Sequence, residues 1–384
     1  STVLGRVFAM RAFLAAAVIS LLCVSIHATA SVHLVDDTTC LDGSNAGYYY
    51  RAAADGYSKK WVIFLEGGGF CVTQDSCTSR AKKQLGSSKD WPDTLELSGI
   101  SGADSSTNSD FYQYNSVYVP YCTGDVHSGT VKKPTDEQWG LYFTGHTNLV
   151  TIVEELVSKY GMGDAEELIL TGSSAGGLGT FLHTNAFFDA FPNTRVTALP
   201  QAGWFLPLPA YDPSVAPCGG MLKLMESLYK LAHSYLPPDC VSANPDTPHV
   251  CFSANYTYPH IKAPLFVFEM QYDINQLYEE DSVPLKVFNS TTCDYIGHFG
   301  DEMRGTLQAV VNNKRDGLFN PGCFGHGVSW NGNPVGNVEA SKAFGDWYFQ
   351  RAGNQRVYAD SCPNSDGSFP CNPTCGYPTG VCGV

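Results

Sequence analysis

The chain has 384 residues and a formal net charge of −14, with 43% hydrophobic and 16% charged residues. That composition suits a globular protein with a sizeable core and excludes a disordered one. Its acidic balance repels polyanions, which excludes nucleic acid as a partner and would also repel a free polyuronate.

Met10-Arg11 is a basic start, residues 12–26 are an apolar run, and Ala28-Thr29-Ala30 is an A-x-A cleavage signal. These are the three parts of a secretory signal peptide, with residues 1–9 read as upstream of the true start. A membrane anchor is the alternative, but the run is short for a span and no other segment is apolar enough to cross a bilayer. Cleavage after Ala30 leaves one catalytic domain over residues 31–384, with a cysteine-rich tail over 362–384. No stable membrane insertion is expected, and the protein is expected to be a monomer.

Cysteine usage fits that route. Of fourteen cysteines, Cys23 lies in the leader. Thirteen remain, a disulfide-rich and odd number, so at least one thiol is unpaired or bonded to another chain. Zinc is the competing explanation for Cys362, Cys371, Cys375 and Cys382. It ranks below disulfides because no Cys-x2-Cys or His-x3-His pair accompanies them. Cys240 and Cys251 bracket a loop that a disulfide could close. Asn255-Tyr256-Thr257 and Asn289-Ser290-Thr291 are acceptor sequons, so Asn255 and Asn289 are candidate glycosylation sites.

After a short Tyr48-Tyr49-Tyr50 cluster, Trp61-Val62-Ile63-Phe64-Leu65 reads as a buried strand, stopped by Glu66 and Gly67-Gly68-Gly69. Glycines after a central strand let backbone N–H groups approach a ligand. The polar stretch to Asp110 reads as a loop-rich excursion, and residues 116–120 as a second buried strand. Apolar spacing over 148–160 predicts an amphipathic helix ended by Gly161. Leu168-Ile169-Leu170 then forms a strand that runs straight into Gly172-Ser173-Ser174-Ala175-Gly176, and Leu178, Phe181 and Leu182 lie on one face of a following helix.

That last stretch matches G-x-S-x-G in the strand–turn–helix context that gives the pattern meaning. Glycines at 172 and 176 remove Cβ atoms that would clash in so tight a turn. The helix start below Ser174 offers unpaired N–H groups to a developing oxyanion. Further on, 196–199 reads as a strand, 221–236 as a helix broken by Pro237-Pro238, and 265–268 as a late buried strand. Residues 303–313 and 338–351 look helical. The whole is an α/β arrangement, with a mostly parallel sheet flanked by helices and loop-rich, disulfide-bonded insertions.

Acyl transfer by a serine needs a base and an acid that orients it. In α/β-hydrolases the chain order is Ser, then Asp or Glu, then His. Asp273 is read as the only acid directly after a convincing buried strand downstream of Ser174. Two histidines follow it: His326, between glycines in a loop, and His298, the reserve candidate. Either could instead be a structural residue.

Several blocks together resemble the pectin acetylesterase/Notum family. They are Leu65-Glu66-Gly67-Gly68-Gly69-Phe70-Cys71, Leu85-Gly86-Ser87-Ser88-Lys89, Tyr121-Cys122-Thr123-Gly124-Asp125 and Gly172-Ser173-Ser174-Ala175-Gly176-Gly177. Ala263-Pro264-Leu265-Phe266 with Asp273, Cys323-x2-His326, and Pro370-Cys371-Asn372-Pro373-Thr374-Cys375 continue the series in the family's order. The resemblance implies an α/β-hydrolase-like fold, no cofactor, no metal, and a triad of Ser174, Asp273 and His326. It also implies oxyanion donors at the N–H groups of Gly68, Gly69 and Ala175. There are departures: Phe70 stands where plant-type members usually have tryptophan, and Ser173 where they have cysteine. Notum-type members have tryptophan at the place of Gly69 and a serine like Ser173. His326 is followed by Gly327 and not by the cysteine common in plant members, which could account for the odd cysteine.

The reading is a secreted serine carboxylesterase that removes O-acetyl groups from an extracellular or cell-wall polysaccharide, with pectin foremost. One alternative is a Notum-like carboxylesterase taking a longer acyl group from a protein or lipid ester. A third is a catalytically silent extracellular binding module.

Overall fold

The computed structural model describes residues 29–384 except 285, 287, 328, 354, 363–367, 377–381 and 383–384. The leader expected over residues 10–30 lies outside the described residues apart from its last two, and Ala30 is already the first residue of a strand.

Among the described residues, twelve strands and eight α-helices follow in chain order. The strands are β1 (Ala30–Leu34), β2 (Gly47–Arg51), β3 (Lys60–Leu65), β4 (Thr94–Leu95), β5 (Asn115–Val119), β6 (Glu167–Ser173), β7 (Arg195–Gln201), β8 (Phe266–Phe268), β9 (Tyr272–Asp273), β10 (Gly317–Asn320), β11 (Phe324–Gly325) and β12 (Val357–Ala359). The helices are α1 (Gln74–Arg80), α2 (Gly145–Tyr160), α3 (Ala175–Ala190), α4 (Met221–Ala232), α5 (Pro238–Ala243), α6 (Ala254–Thr257), α7 (Ser290–Asn312) and α8 (Ala340–Tyr348).

Ten strands form one sheet in the order β12-β10-β8-β7-β6-β3-β5-β2-β1-β4. From β5 to β12 the neighbours are parallel, while β2, β1 and β4 add an antiparallel edge. The central strands are apolar throughout because both faces are covered. Trp61, Ile63 and Leu65 of β3 pack under Leu149, Ile152 and Leu156 of α2. Val62 faces the other way, in one cluster with Phe266, Phe268 and Phe344 of α8. Alternate residues of β8 divide likewise, since Val267 packs with Ile296, Phe299 and Met303 of α7. Each such aliphatic side chain, fully buried, contributes about 1.5–3 kcal/mol.

The chain leaves β3 for β5 on one side and then crosses to β6 on the other. In a parallel sheet such a reversal opens a crevice at the carboxyl ends of the strands. Leu65 is in register with Gly172, so the loops after β3 and β6 emerge side by side.

Several sequence boundaries shift. The helix read over 221–236 ends at Ala232, where His233 adopts a left-handed conformation before Pro237 is reached. The helix read from 303 begins at Ser290, because Asn289 caps it and Thr292 closes the capping box. The excursion before Asp110 includes α1 and buries Leu97 and Ile100.

Among the described residues six disulfides join Cys40–Cys122, Cys71–Cys77, Cys240–Cys251, Cys293–Cys382, Cys323–Cys375 and Cys362–Cys371. The four tail cysteines considered for zinc are therefore all in disulfides. Cys218 is the free thiol among the described residues, and it is exposed.

Candidate active site

Ser174 occupies the tip of the turn between β6 and α3, at φ 59° and ψ −121°. A non-glycine residue is strained there. The surroundings hold it in place: Ser174 N–H donates to Gln201 O at 2.9 Å, and Leu178 N–H donates to Ser174 O. A Cβ on Gly172 would lie 2.4 Å from Gly176 O, and one on Gly176 would lie 1.9 Å from Leu65 O. Glycine is thus required at both positions by close backbone approach, not by flexibility.

The turn presents the hydroxyl to His326. Ser174 Oγ lies 2.7 Å from His326 Nε2, and His326 Nδ1 lies 2.9 Å from both Asp273 oxygens. What brings acid and base together is the small parallel pair of β9 and β11, in which Asp273 is in register with Gly325. Asp273 is fully buried, whereas the His326 side chain retains 22% exposure. Because Asp273 is a carboxylate, Nδ1 carries the proton toward it and Nε2 is left to accept from Ser174 Oγ. Burial pushes the His326 imidazole down, but the charge and hydrogen bond of Asp273 outweigh it, and its pKa is raised above the ordinary value.

Asp273 is itself held by donors. Asn275 N–H reaches Oδ1 at 2.8 Å, and Gln276 Nε2 reaches Oδ2 at 3.2 Å. Gln276 is fixed in turn, its Oε1 accepting from Leu206 N–H and its Nε2 donating to Trp204 O.

Beside Ser174 runs the loop that follows β3. A Cβ on Gly67 would lie 3.0 Å from Ser174 Cβ. Gly68 and Gly69 take φ of 137° and 66°, conformations open to glycine and costly for other residues. The N–H groups of Gly68, Gly69 and Ala175 have no acceptor among the described residues. For Ala175 the reason is its place at the first position of α3.

Two residues that buttress this loop escaped the sequence reading. Arg80, the last residue of α1, donates from Nη2 to Gly68 O at 2.6 Å. His127 is fully buried and donates from Nε2 to Glu66 O at 2.8 Å. Burial holds its imidazole well below the ordinary value, at about 4, so it stays neutral. A third omission is Glu269. It directly follows β8, so an acid stands closer to that strand than Asp273, and its place after an apolar run was the signal available. Burial, and then the nearby charge of Asp273, push its carboxyl well above the usual range.

The remaining candidates lie elsewhere. His298 is on the exposed side of α7, in the part of the helix that lies before residue 303. Asn289 is exposed, but its Oδ1 caps α7, and Asn255 is partly buried with its Oδ1 accepting from Ser253 Oγ.

A cavity of about 780 Å³ opens beside His326, lined by Ile274, Asn275, Tyr278, Glu279, Pro284 and Lys286. No group of histidine, cysteine or acidic side chains suited to a metal ion occurs among the described residues. No helix among them is long and apolar enough to cross a membrane.

A hydroxyl, an imidazole and a carboxylate in this relay, next to outward N–H groups, can carry out acyl transfer. The comparisons with known proteins agree with that chemistry. The family model described as Pectinacetylesterase matches residues 24–376. Pectin acetylesterase 7 of Arabidopsis thaliana is 30% identical over 370 residues, covering 88% of this chain and 88% of that protein. Palmitoleoyl-protein carboxylesterase NOTUM of Drosophila melanogaster is 32% identical over 324 residues, or 80% of this chain but 46% of that protein's length. The solved structure of the Wnt deacylase Notum from Drosophila superimposes with a TM-score of 0.79 at 30% identity, covering 90% of this chain and 99% of that one. The chain belongs to the pectinacetylesterase family, a family of carboxylic ester hydrolases.

Proposed function

We propose that this protein is a secreted serine carboxylesterase that removes O-acetyl groups from an extracellular or cell-wall polysaccharide, pectin foremost. The observation that carries the reading is the relay from Ser174 Oγ through His326 to Asp273, with Nε2 2.7 Å from the hydroxyl.

Ser174 Oγ attacks the acetyl carbonyl carbon while His326 Nε2 takes its proton. The carbonyl oxygen becomes an oxyanion facing the N–H groups of Gly68, Gly69 and Ala175. Collapse of this intermediate breaks the bond to the sugar oxygen, which leaves with the proton from His326. Water then repeats the sequence on the acetyl-enzyme: His326 takes its proton, acetate departs, and Ser174 is regenerated. Asp273 holds Nδ1–H and stabilises the imidazolium.

The adjoining cavity, which also carries the apolar Ile274 and Pro284, has aromatic and polar residues that suit a sugar chain. Tyr278 is 57% exposed and can stack on a pyranose face. Glu279 and Lys286 at the same cavity suit hydroxyl groups and would be poorly placed against an alkyl chain. The net charge of −14 disfavours a fully ionised polyuronate and points to neutral or esterified stretches of polymer.

The test is acetate release from acetylated pectin, acetylated xylan and small acetyl esters, with nitrophenyl esters of increasing acyl length alongside. Acetate release with a preference for the shortest acyl chains is expected. A preference for acyl chains of eight or more carbons would move the assignment to the Notum-like alternative. Failure of a fluorophosphonate to label Ser174 would leave the silent binding module.

A further inference from the structure

The amino ends of the parallel strands, opposite the triad, carry a second cavity of about 880 Å³. Arg195 on its wall is the first residue of β7, Lys314 and Arg315 lie just before β10, and Arg356 lies just before β12. Those strands sit together at one side of the sheet, with β8 between β7 and β10. β7 runs from Arg195 to Gln201, whose carbonyl accepts from Ser174 N–H. At about 3.3 Å per residue, the cavity is therefore about 20 Å from the nucleophile.

Its charge is opposite to that of the whole chain. No acidic side chain lines it among the described residues. Arg315 is matched by Asp316, which accepts from its Nε at 2.8 Å and from its Nη2 at 3.1 Å. Arg195 donates to Tyr348 O and lies over the Tyr348 ring, and Arg356 donates to the carbonyls of Val311 and Asp316. Tyr348 ends α8 and Val311 is in the last turn of α7, so these two cations face only the partial charges of two helix ends. Lys314 is exposed and adds a third cation. Three positive charges against two helix ends of about half a unit each leave about two units of positive charge. Acids close by in the chain are taken up by other cations: Glu167, in register with Arg195, pairs with Lys60, and Asp346 pairs with Lys342 and Arg351. Salt screens the remaining acidic surface over about 8–10 Å, so within the cavity the local cations decide.

The same wall offers a surface for a ring. Trp347 is half-buried, packed on Phe266 with ring centroids 5.3 Å apart, and it lines the cavity beside the cations. Gln355 and the hydroxyl of Thr197, which is 1% exposed, stand on the same wall and can bond to sugar hydroxyls. A flat aromatic face, fixed guanidinium groups and amide and hydroxyl groups together suit a sugar ring that bears a carboxylate.

We propose that this cavity is a docking site for ionised uronate units of an acidic polysaccharide: the sugar ring lies on Trp347, and its carboxylate is held by Arg195, Lys314 and Arg356. An ionised stretch of polymer is anchored here, which raises the effective concentration of acetylated, esterified stretches at Ser174. The inference rests on the reading of Ser174 as the nucleophile of a polysaccharide acetylesterase.

The experiment uses polygalacturonate as the probe, with the full-length protein and its Lys314→Glu, Gln355→Glu double variant. Both positions are exposed, and both changes add negative charge to the cavity wall. Affinity electrophoresis in gels containing the polymer should show binding by the wild type, weakened about tenfold in the variant. On partly de-esterified acetylated pectin the variant's KM should rise about fivefold or more with kcat nearly unchanged, while nitrophenyl acetate hydrolysis stays within about twofold. Polyglutamate, which has carboxylates but no sugar rings, should bind the wild type about fivefold more weakly or worse.

A wild type that ignores polygalacturonate overturns the proposal. So does a variant that melts normally and binds it as well as wild type, and so does equal binding of polyglutamate. If the double variant does not fold, the two polymers on the wild type decide. Binding and turnover keep the two readings apart. Polygalacturonate binding without acetate release sinks the acetylesterase assignment and leaves the docking site. Acetate release by a protein that does not bind polygalacturonate does the reverse.

Discussion

Replacing Arg80 by Met tests how the loop after β3 is held for chemistry. Arg80 Nη2 donates to Gly68 O at 2.6 Å. A trans peptide points its carbonyl and the following N–H in opposite directions, so fixing Gly68 O directs Gly69 N–H away from Arg80. Without that anchor the peptide is free to rotate, because φ of 137° at Gly68 and 66° at Gly69 lie in regions that glycine leaves easily. A hydrogen bond to a charged donor contributes about 1.5–3 kcal/mol, which is about a ten- to hundredfold change in how often the N–H faces the reacting carbonyl. Complete loss of one oxyanion donor sets the ceiling, about 10²–10³-fold in kcat. Arg80→Met should therefore lower kcat on nitrophenyl acetate by about ten- to hundredfold, with KM nearly unchanged because the ground-state carbonyl uses the donor little. Arg80→Lys should recover part of the loss. Thermal melting controls for damage to the Cys71–Cys77 loop, since Arg80 also packs over the Tyr121 ring at 5.8 Å. A kcat within threefold of wild type, in a variant that melts normally, would refute the reasoning.

Ser174→Ala should fold and melt like wild type but retain only about 10³-fold catalysis over water, measured by acetate release; more than a tenth of wild-type activity would exclude Ser174 as the nucleophile. The general base must be neutral, and Asp273 raises the His326 pKa, so kcat/KM should fall with acid and begin to do so above the ordinary imidazole range. His326→Ala should abolish hydrolysis and that limb with it, while His298→Ala, altering an exposed position on α7, should change little. Strong reductant should lower the melting temperature markedly, since closing the 82-residue separation between Cys40 and Cys122 alone contributes about 4.5 kcal/mol by chain entropy. An unchanged melt after complete reduction would contradict that.

Much of the site could be read from residue order because its chemistry is local. The turn around Ser174 needs a strand, two glycines and a helix within a short stretch, and each leaves a mark in the sequence. The same holds for the glycine run after β3. The clash between a Cβ at Gly176 and Leu65 O shows why both stretches carry glycine: they press against each other. The order Ser174, Asp273, His326 was equally legible, but the choice between His298 and His326 was not a local matter. It depended on the pairing of β9 with β11 and on a capping box at Asn289 that extends α7 through His298. The buttressing residues were hidden for a similar reason. Arg80 and His127 act across 12 and 61 positions of sequence, on partners that only the folded chain brings near. Disulfide pairing belongs to the same class, since thirteen cysteines permit many schemes and only the folded chain brings Cys40 to Cys122 and Cys323 to Cys375. Short-range sterics and apolar periodicity write themselves into neighbouring residues, whereas burial and long-range hydrogen bonding are decided by which strands become neighbours.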